Sequence, residues 1–327
     1  MQAQDRLTDT IIDRRFDVSP GSHLDISNVS GSVNVRAGEP DVITMHAVKS
    51  GSDRSQANTV IEIAQDGNSV QVKTTQASQR FGILSQLGSP CSVNFELRVP
   101  PDCRVSAHAV SSSIAVSELN TDLTLHSVSG GIDMADITGD CTVSNVSGKI
   151  QGRRLAGALI VNTTSGSTDI RDSRIASANL NSVSGGCTLE TPLFHGRHYF
   201  AKTVSGNMKL KVPPDTGASI QLKTVSGKVV VSGLPANALK SGPKGWSGRV
   251  GDGGASVEMH SVSGSIQVEG SGEVESGQTP DRHGSTVSPR AAQTESQSMD
   301  VLRALQDGDL TVEEALQRLE HPAGGDR

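Results

Sequence analysis

Apolar and polar residues alternate along this chain in short runs. Leu123 and Leu125, Ile132 and Met134, Cys141 and Val143, Met208 and Leu210, and Ile266 and Val268 each sit two apart with a polar or small residue between. Period two in runs this short predicts strands, because a helix repeats its apolar positions every three to four residues over a longer stretch. One tripeptide punctuates the runs. Val-Ser-Gly stands at 29–31, 128–130, 146–148, 183–185, 204–206, 225–227 and 262–264, with degenerate copies at 110–112 and 164–166. From Ser112 to Gly227 its third residue recurs after 18, 18, 18, 19, 21 and 21 residues, and then after 37 at Gly264. A fixed period in this range marks an array in which each repeat is one rung.

Each unit reads apolar-x-apolar-x-x-Val-Ser-Gly-x-apolar-x-apolar, followed by a looser turn such as Ile137-Thr138-Gly139. Two short strands per repeat, each ending at a glycine-bearing corner, predict an all-β fold built on a parallel β-helix or β-solenoid. Successive rungs then lie about 4.8 Å apart. Glycine at the corner permits positive φ, expected at Gly130 and Gly148, and serine tolerates a tight bend by bonding nearby backbone. Ile132, Ile150, Val143 and Val161 are expected inside, with Asp133, Gln151 and Thr142 facing out.

The pattern divides the chain. Residues 1–14 read as a disordered lead-in. Residues 15–103 hold one complete unit and then longer strands that break the period, ending at Pro100-Pro101. They predict a strand-rich cap of antiparallel strands over the first rungs, which a solenoid needs because its last rung exposes unpaired backbone. Residues 104–268 are the solenoid, with a Gly- and Pro-rich insertion at 233–256. Residues 269–297, rich in Ser, Gly, Gln and Thr, read as a flexible linker. Residues 298–320 change period and predict a small α-helical hairpin, with Gly308 as a C-cap and Thr311 to Glu314 as a capping box. Its apolar face, Leu302, Leu305, Leu316 and Leu319, is too small to form a core alone. Residues 321–327 read as a disordered tail.

Composition fits a thin core. Hydrophobic residues make up 34% and aromatic ones 2%, as ladders of Val, Ile and Leu require and a wide globular core does not. The formal net charge is −6. Residues 298–327 hold seven acidic and three basic residues, so most of that charge sits in the tail and the body is only mildly acidic. Such a body has no general attraction for nucleic acid or anionic lipid. The start is polar, without the apolar centre of a signal peptide, and no run approaches a membrane span, which predicts a cytoplasmic protein without direct membrane insertion, membrane-associated only through a partner. The four cysteines lack metal-ligand spacing and read as reduced core residues.

The Val-Ser-Gly units, preceded by longer strands ending in Pro-Pro, resemble the bacterial "putative adhesin" family of β-strand-repeat proteins of unknown function. The resemblance covers residues 15–268 and implies the fold rather than a chemistry. Residues 301–315 resemble the SHOCT-like helical hairpins of bacterial proteins. Some envelope-stress proteins of Gram-positive bacteria join the same two modules in the opposite order, which implies a link to envelope-stress signalling.

Candidate chemistry is thin. His108 and His126 fall on adjacent rungs, but zinc needs at least three protein ligands. The column Asn28, Ala109, Ser127, Asn145, Thr163, Ser182, Thr203, Thr224 and Ser261 is too irregular for a lattice-matching surface. Asp133 and Asp169 share a column two rungs apart, at the ~9–10 Å of an inverting glycosidase pair, with nothing else to support one. No catalytic, cofactor or metal site is predicted. His195, His198 and Tyr199 form the densest polar and aromatic corner and are a candidate binding loop. The expected function is a non-enzymatic scaffold whose C-terminal hairpin recruits a protein partner or a second copy. The acidic tail favours a basic surface on another molecule over the chain's own body. The alternatives are an exported surface adhesin and, further off, a carbohydrate-active β-helix enzyme; carbohydrate is not the expected partner.

Overall fold

A computed structural model describes residues 5–7, 10–76 and 91–270. Of the expected linker, residues 269 and 270 belong to the last strand, Ile266–Gly270; the rest of it, the hairpin and the tail lie outside the described residues. The rest is a flattened β-solenoid whose rungs each contribute one strand to either face.

The first face contains, in spatial order, β1 (Asp5–Leu7), β5 (Thr59–Asp66), β6 (Ser69–Gln76), the first halves of β3 (His23–Ala37) and β8 (Arg104–Leu119), β9 (Leu123–Ser129), β11 (Cys141–Ser147), the second half of β12 (Ile150–Ser165), β14 (Arg174–Ser184) and β16 (His198–Ser205). The second face runs from β2 (Ile11–Asp17) through β4 (Val42–Ser50), β7 (Ser92–Val99), the other halves of β3 and β8, β10 (Ile132–Thr138), the first half of β12, β13 (Thr168–Arg171), β15 (Cys187–Glu190) and β17 (Met208–Val212). The expected register holds. Ile132 pairs with Ile150 and Val143 with Val161, all four are buried, and Asp133 faces solvent. Cys91, Cys103, Cys141 and Cys187 are free and buried, and burial pushes the thiols of Cys141 and Cys187 up to about 12.

Three expectations are corrected. Residues 11–14 are not a lead-in but part of β2, because Ile12 and Phe16 alternate inward and β2 pairs with β4. The insertion at 233–256 holds an antiparallel hairpin, β20 (Ala236–Gly242) and β21 (Gly245–Val250), with Trp246 buried beneath it. The largest difference is rung order. The last unit in sequence, β22 (Ala255–Ser263) and β23 (Ile266–Gly270), does not sit at the end. It slots between β16/β17 and the earlier unit of β18 (Ala218–Ser226) and β19 (Val229–Ser232). Repeat spacing in sequence cannot show this, because the unit motif is the same whichever neighbour it meets.

The corner glycines trace the true order. A Cβ on Gly130 would overlap the Ser112 carbonyl oxygen, one on Gly148 that of Gly130, one on Gly166 that of Gly148, and so on through Gly185 and Gly206 to Gly264 and then Gly227. Each corner lies against the backbone of the one below. Gly148 has φ +135° as expected, but Gly130 is outside the positive-φ set. Its need for glycine is rung-to-rung approach, not dihedral freedom. At the opposite corner Glu118, Asp136, Arg154 and Asp172 all adopt φ between 50° and 63°. The kink resets the alternation, so that Met134 and Ile137, three apart, both point inward.

Gly130→Ala is expected to destabilise the fold by about 1–3 kcal/mol, since the methyl must push backbone aside on a packed stack. Gly131→Ala is the control, as its Cβ would meet only the Lys149 carbonyl oxygen at 3.6 Å, an ordinary contact. Urea midpoints of the two variants check this, and equal midpoints would reject the close-approach explanation.

Candidate functional site

Alternation along the first-face strands decides what solvent meets. In β9, Leu123 and Leu125 point inward, Thr124 and His126 outward, Ser127 inward and Val128 outward. On this rung the valine of the Val-Ser-Gly unit is therefore a surface residue. Val110, Val128 and Val146 are each 48% exposed and stand in line on consecutive rungs. Beside them runs the column two residues earlier, His108, His126, Ser144, Asn162 and Asn181. Between the two columns the face is concave, forming a trough of about 910 Å³. It crosses eight neighbouring strands, from Lys73 on β6 to Lys202 on β16, or about 34 Å at ~4.8 Å per strand. Beyond it the corner valines Val204 and Val262 are buried and the ridge ends.

The floor consists of small polar residues that tie the strand to the corner. Asn28 Nδ2 donates to the Val93 carbonyl oxygen at 2.9 Å and to Ser112 Oγ at 3.0 Å. Asn145 Nδ2 and Ser127 Oγ donate to the Gly130 carbonyl oxygen at 3.2 and 3.4 Å. Asn145 Oδ1, Thr163 Oγ1 and Ser182 Oγ are buried and lack a hydrogen-bond partner. Being shut off from solvent, they shape the floor rather than reach a ligand.

Along the polar wall, Asn181 Nδ2 donates to Asn162 Oδ1 and Asn179 Oδ1, both at 3.1 Å. The rings of His108 and His126 stack with centroids 5.0 Å apart and planes 8° from parallel. Two imidazoles sharing a metal would bring their nitrogens within about 4 Å on a common point; these rings lie face to face instead. No group of three or more metal-ligating side chains occurs among the described residues. Neither Asp, Glu nor Cys lines the trough.

The residues expected at the binding corner fall elsewhere. His195 and His198 are exposed, but Tyr199 is 3% exposed and turns inward. Its hydroxyl accepts from the Phe194 N–H at 3.0 Å and donates to the Ile175 carbonyl oxygen at 2.9 Å, pinning the lengthened corner from within. None of the three lines the trough. Leu302, Leu305, Leu316 and Leu319 lie outside the described residues. The paired carboxylates keep their columns, but Arg171 holds Asp169 through bonds of 2.8 and 2.9 Å and keeps its carboxyl below the usual range. An ionised Asp169 has no proton to give a leaving group. A signal for the trough was present in the sequence. Val128 stands three residues after Leu125, an odd spacing that alternation puts on the solvent side.

Burial, and then the neighbouring His108, lower the proton affinity of His126. The unfolded chain therefore takes up a proton first as pH falls through about 6.5. The contribution of neutral His126 is present above that pH and is lost towards its lower folded value. The urea midpoint is expected to fall between pH 7.5 and pH 5.5, and to fall less in His126→Asn. An identical pH slope in the two proteins would contradict this.

Among the described residues no helix is long and apolar enough to cross a membrane. No curated protein matches the chain. A "putative adhesin" of Bacteroides fragilis is 14% identical with a TM-score of 0.43, covering 79% of this chain and 96% of that one. A "putative cell adhesion protein" of Clostridium sporogenes is 11% identical with a TM-score of 0.28, over 79% and 99%. A "putative lipid binding protein" of Parabacteroides distasonis is 12% identical with a TM-score of 0.41, over 79% and 96%. Residues 22–313 match the Toastrack DUF4097 family, and the chain is a member of that family.

Proposed function

We propose that this Toastrack chain is a non-enzymatic scaffold that holds an extended polypeptide segment in its Val-Ser-Gly trough. The trough itself carries the reading. Its valine ridge offers Val110, Val128 and Val146 to apolar side chains, while Ser144, Asn162, Asn181 and His126 supply donors and acceptors for a peptide backbone. A trough this long suits a chain better than a compact small molecule. Carboxylates and thiols are absent from its lining, and His108 and His126 stack on each other with no lining carboxylate to orient either as a base.

The test is an array of random 15-residue peptides, probed with the wild-type chain and with Val128→Glu combined with Val146→Glu. Both valines are already half-exposed, so the fold should survive. The wild type is expected to retain peptides with alternating apolar residues, and the variant to bind them at least about tenfold more weakly, the loss of one or two central contacts. Equal binding by both proteins, or retention on a glycan array with none on the peptides, would overturn the reading.

A further inference from the structure

Among the described residues the solenoid has four sheet ends, two per face, and three are finished by antiparallel strands. At the N-terminal end β5 and β1 finish the first face, and β4 and β2 the second. At the C-terminal end β21 and β20 finish the first face. The second face stops at β19, which pairs with β23 and has no strand on its other side among the described residues. The Val229 N–H turns outward and reaches the Pro243 carbonyl oxygen at 3.1 Å. By the alternation of a parallel ladder, the Val231 N–H points the same way, with no strand to receive it. Val229, Val231 and Leu234 pack on the core yet are only partly covered, and Leu239 on β20 is 87% exposed. This end is an open edge above an unfinished core, the arrangement proteins usually cover.

Its outer strands come from a basic stretch of sequence, with Glu258 and Glu269 on the strands beneath. Residues 218–250 contain Lys223, Lys228, Lys240, Lys244 and Arg249 and no acidic residue. The rest of the body is acidic, so an average over the chain conceals this patch. Residues 298–327 carry seven acidic and three basic residues. The last described residue, Gly270, lies on the strand beside β19, with its backbone against Gly233. Residues 298–320 follow Gly270 after 27 residues of the same chain, so this end meets them at the effective concentration of a tethered group.

We propose that residues 298–320 dock on the C-terminal end of their own solenoid, laying Leu302, Leu305, Leu316 and Leu319 over Val229, Val231 and Leu234 and setting their acidic side chains against Lys223, Lys228 and Lys244. Charge, apolar content and tether all point to this occupant. The intermolecular contact expected above is the alternative that the test distinguishes. The proposed docking leaves the trough free, because the trough ends at Lys202, short of this end.

The test is amide hydrogen exchange on the full-length chain, comparing the wild type with Leu305→Asp combined with Leu316→Asp. Amides of 229–232 are expected to be protected equally at about 2 µM and about 200 µM protein, because a tethered contact does not depend on concentration. The double variant should exchange them at least about tenfold faster, with amides of 141–147 unchanged as the internal control. Raised salt should weaken the protection in the wild type. Equal exchange in wild type and variant would overturn the proposal. So would protection that appears only at the higher concentration, which would assign the edge to a second copy.

Discussion

The whole structure depends on how closely one corner can approach the next. At each Val-Ser-Gly turn the glycine lies against the carbonyl of the corner below, and a β-carbon there would overlap it. Both faces share that spacing. If a corner were propped open, the ladders on either side would lengthen together, and hydrogen bonds of about 2.9 Å tolerate little stretch. One residue per rung thus sets the height of two sheets. The same turn sends the preceding valine outward and the residue before it inward, so the requirement for close stacking also makes the trough. Hydroxyls and amides beneath it, such as Ser127, Asn145 and Thr224, hold the corner by donating to the carbonyls of Gly130 and Gly264.

Much of this was legible in the residues because a solenoid repeats its instructions. The inward columns at Ile132, Ile150, Val143 and Val161 follow from alternation alone, and the tripeptide marks every first corner. What alternation could not show is which rung lies on which. The unit at 257–268 carries the same motif as its neighbours, and only the longer spacing before it hinted at something unusual. The role of Gly130 is hidden in the sequence for a related reason. Two causes call for glycine, a left-handed dihedral and a neighbour too near for a methyl, and the letter in the sequence is the same. The burial of Tyr199 is equally hidden, because a tyrosine among polar corner residues gives no sign that its hydroxyl bridges Phe194 and Ile175.

Charge gives a parallel lesson. A net value of −6 describes neither end of the molecule. The basic cluster from Lys223 to Arg249 and the acidic tail nearly cancel in the sum, yet each is a local field with a Debye length of about 8 Å at physiological salt. Reading them separately turns an unremarkable total into a complementary pair.

The slotted position of the last unit bears on how the chain is made. A regular solenoid grows as it emerges from the ribosome, each rung templated by the one before. Here that order fails at Val212. The surface offered by β16 and β17 must wait for residues 255–270, and the intervening strands β18 to β21 are synthesised before the rung they will stack upon. Lys202 meets His260, 58 residues later, where earlier neighbours are 18 apart. The final three layers must therefore close together rather than in turn. Nearest-neighbour growth gives way to a clasp, and a nascent chain halted before residue 255 would hold a finished front and an unlatched back.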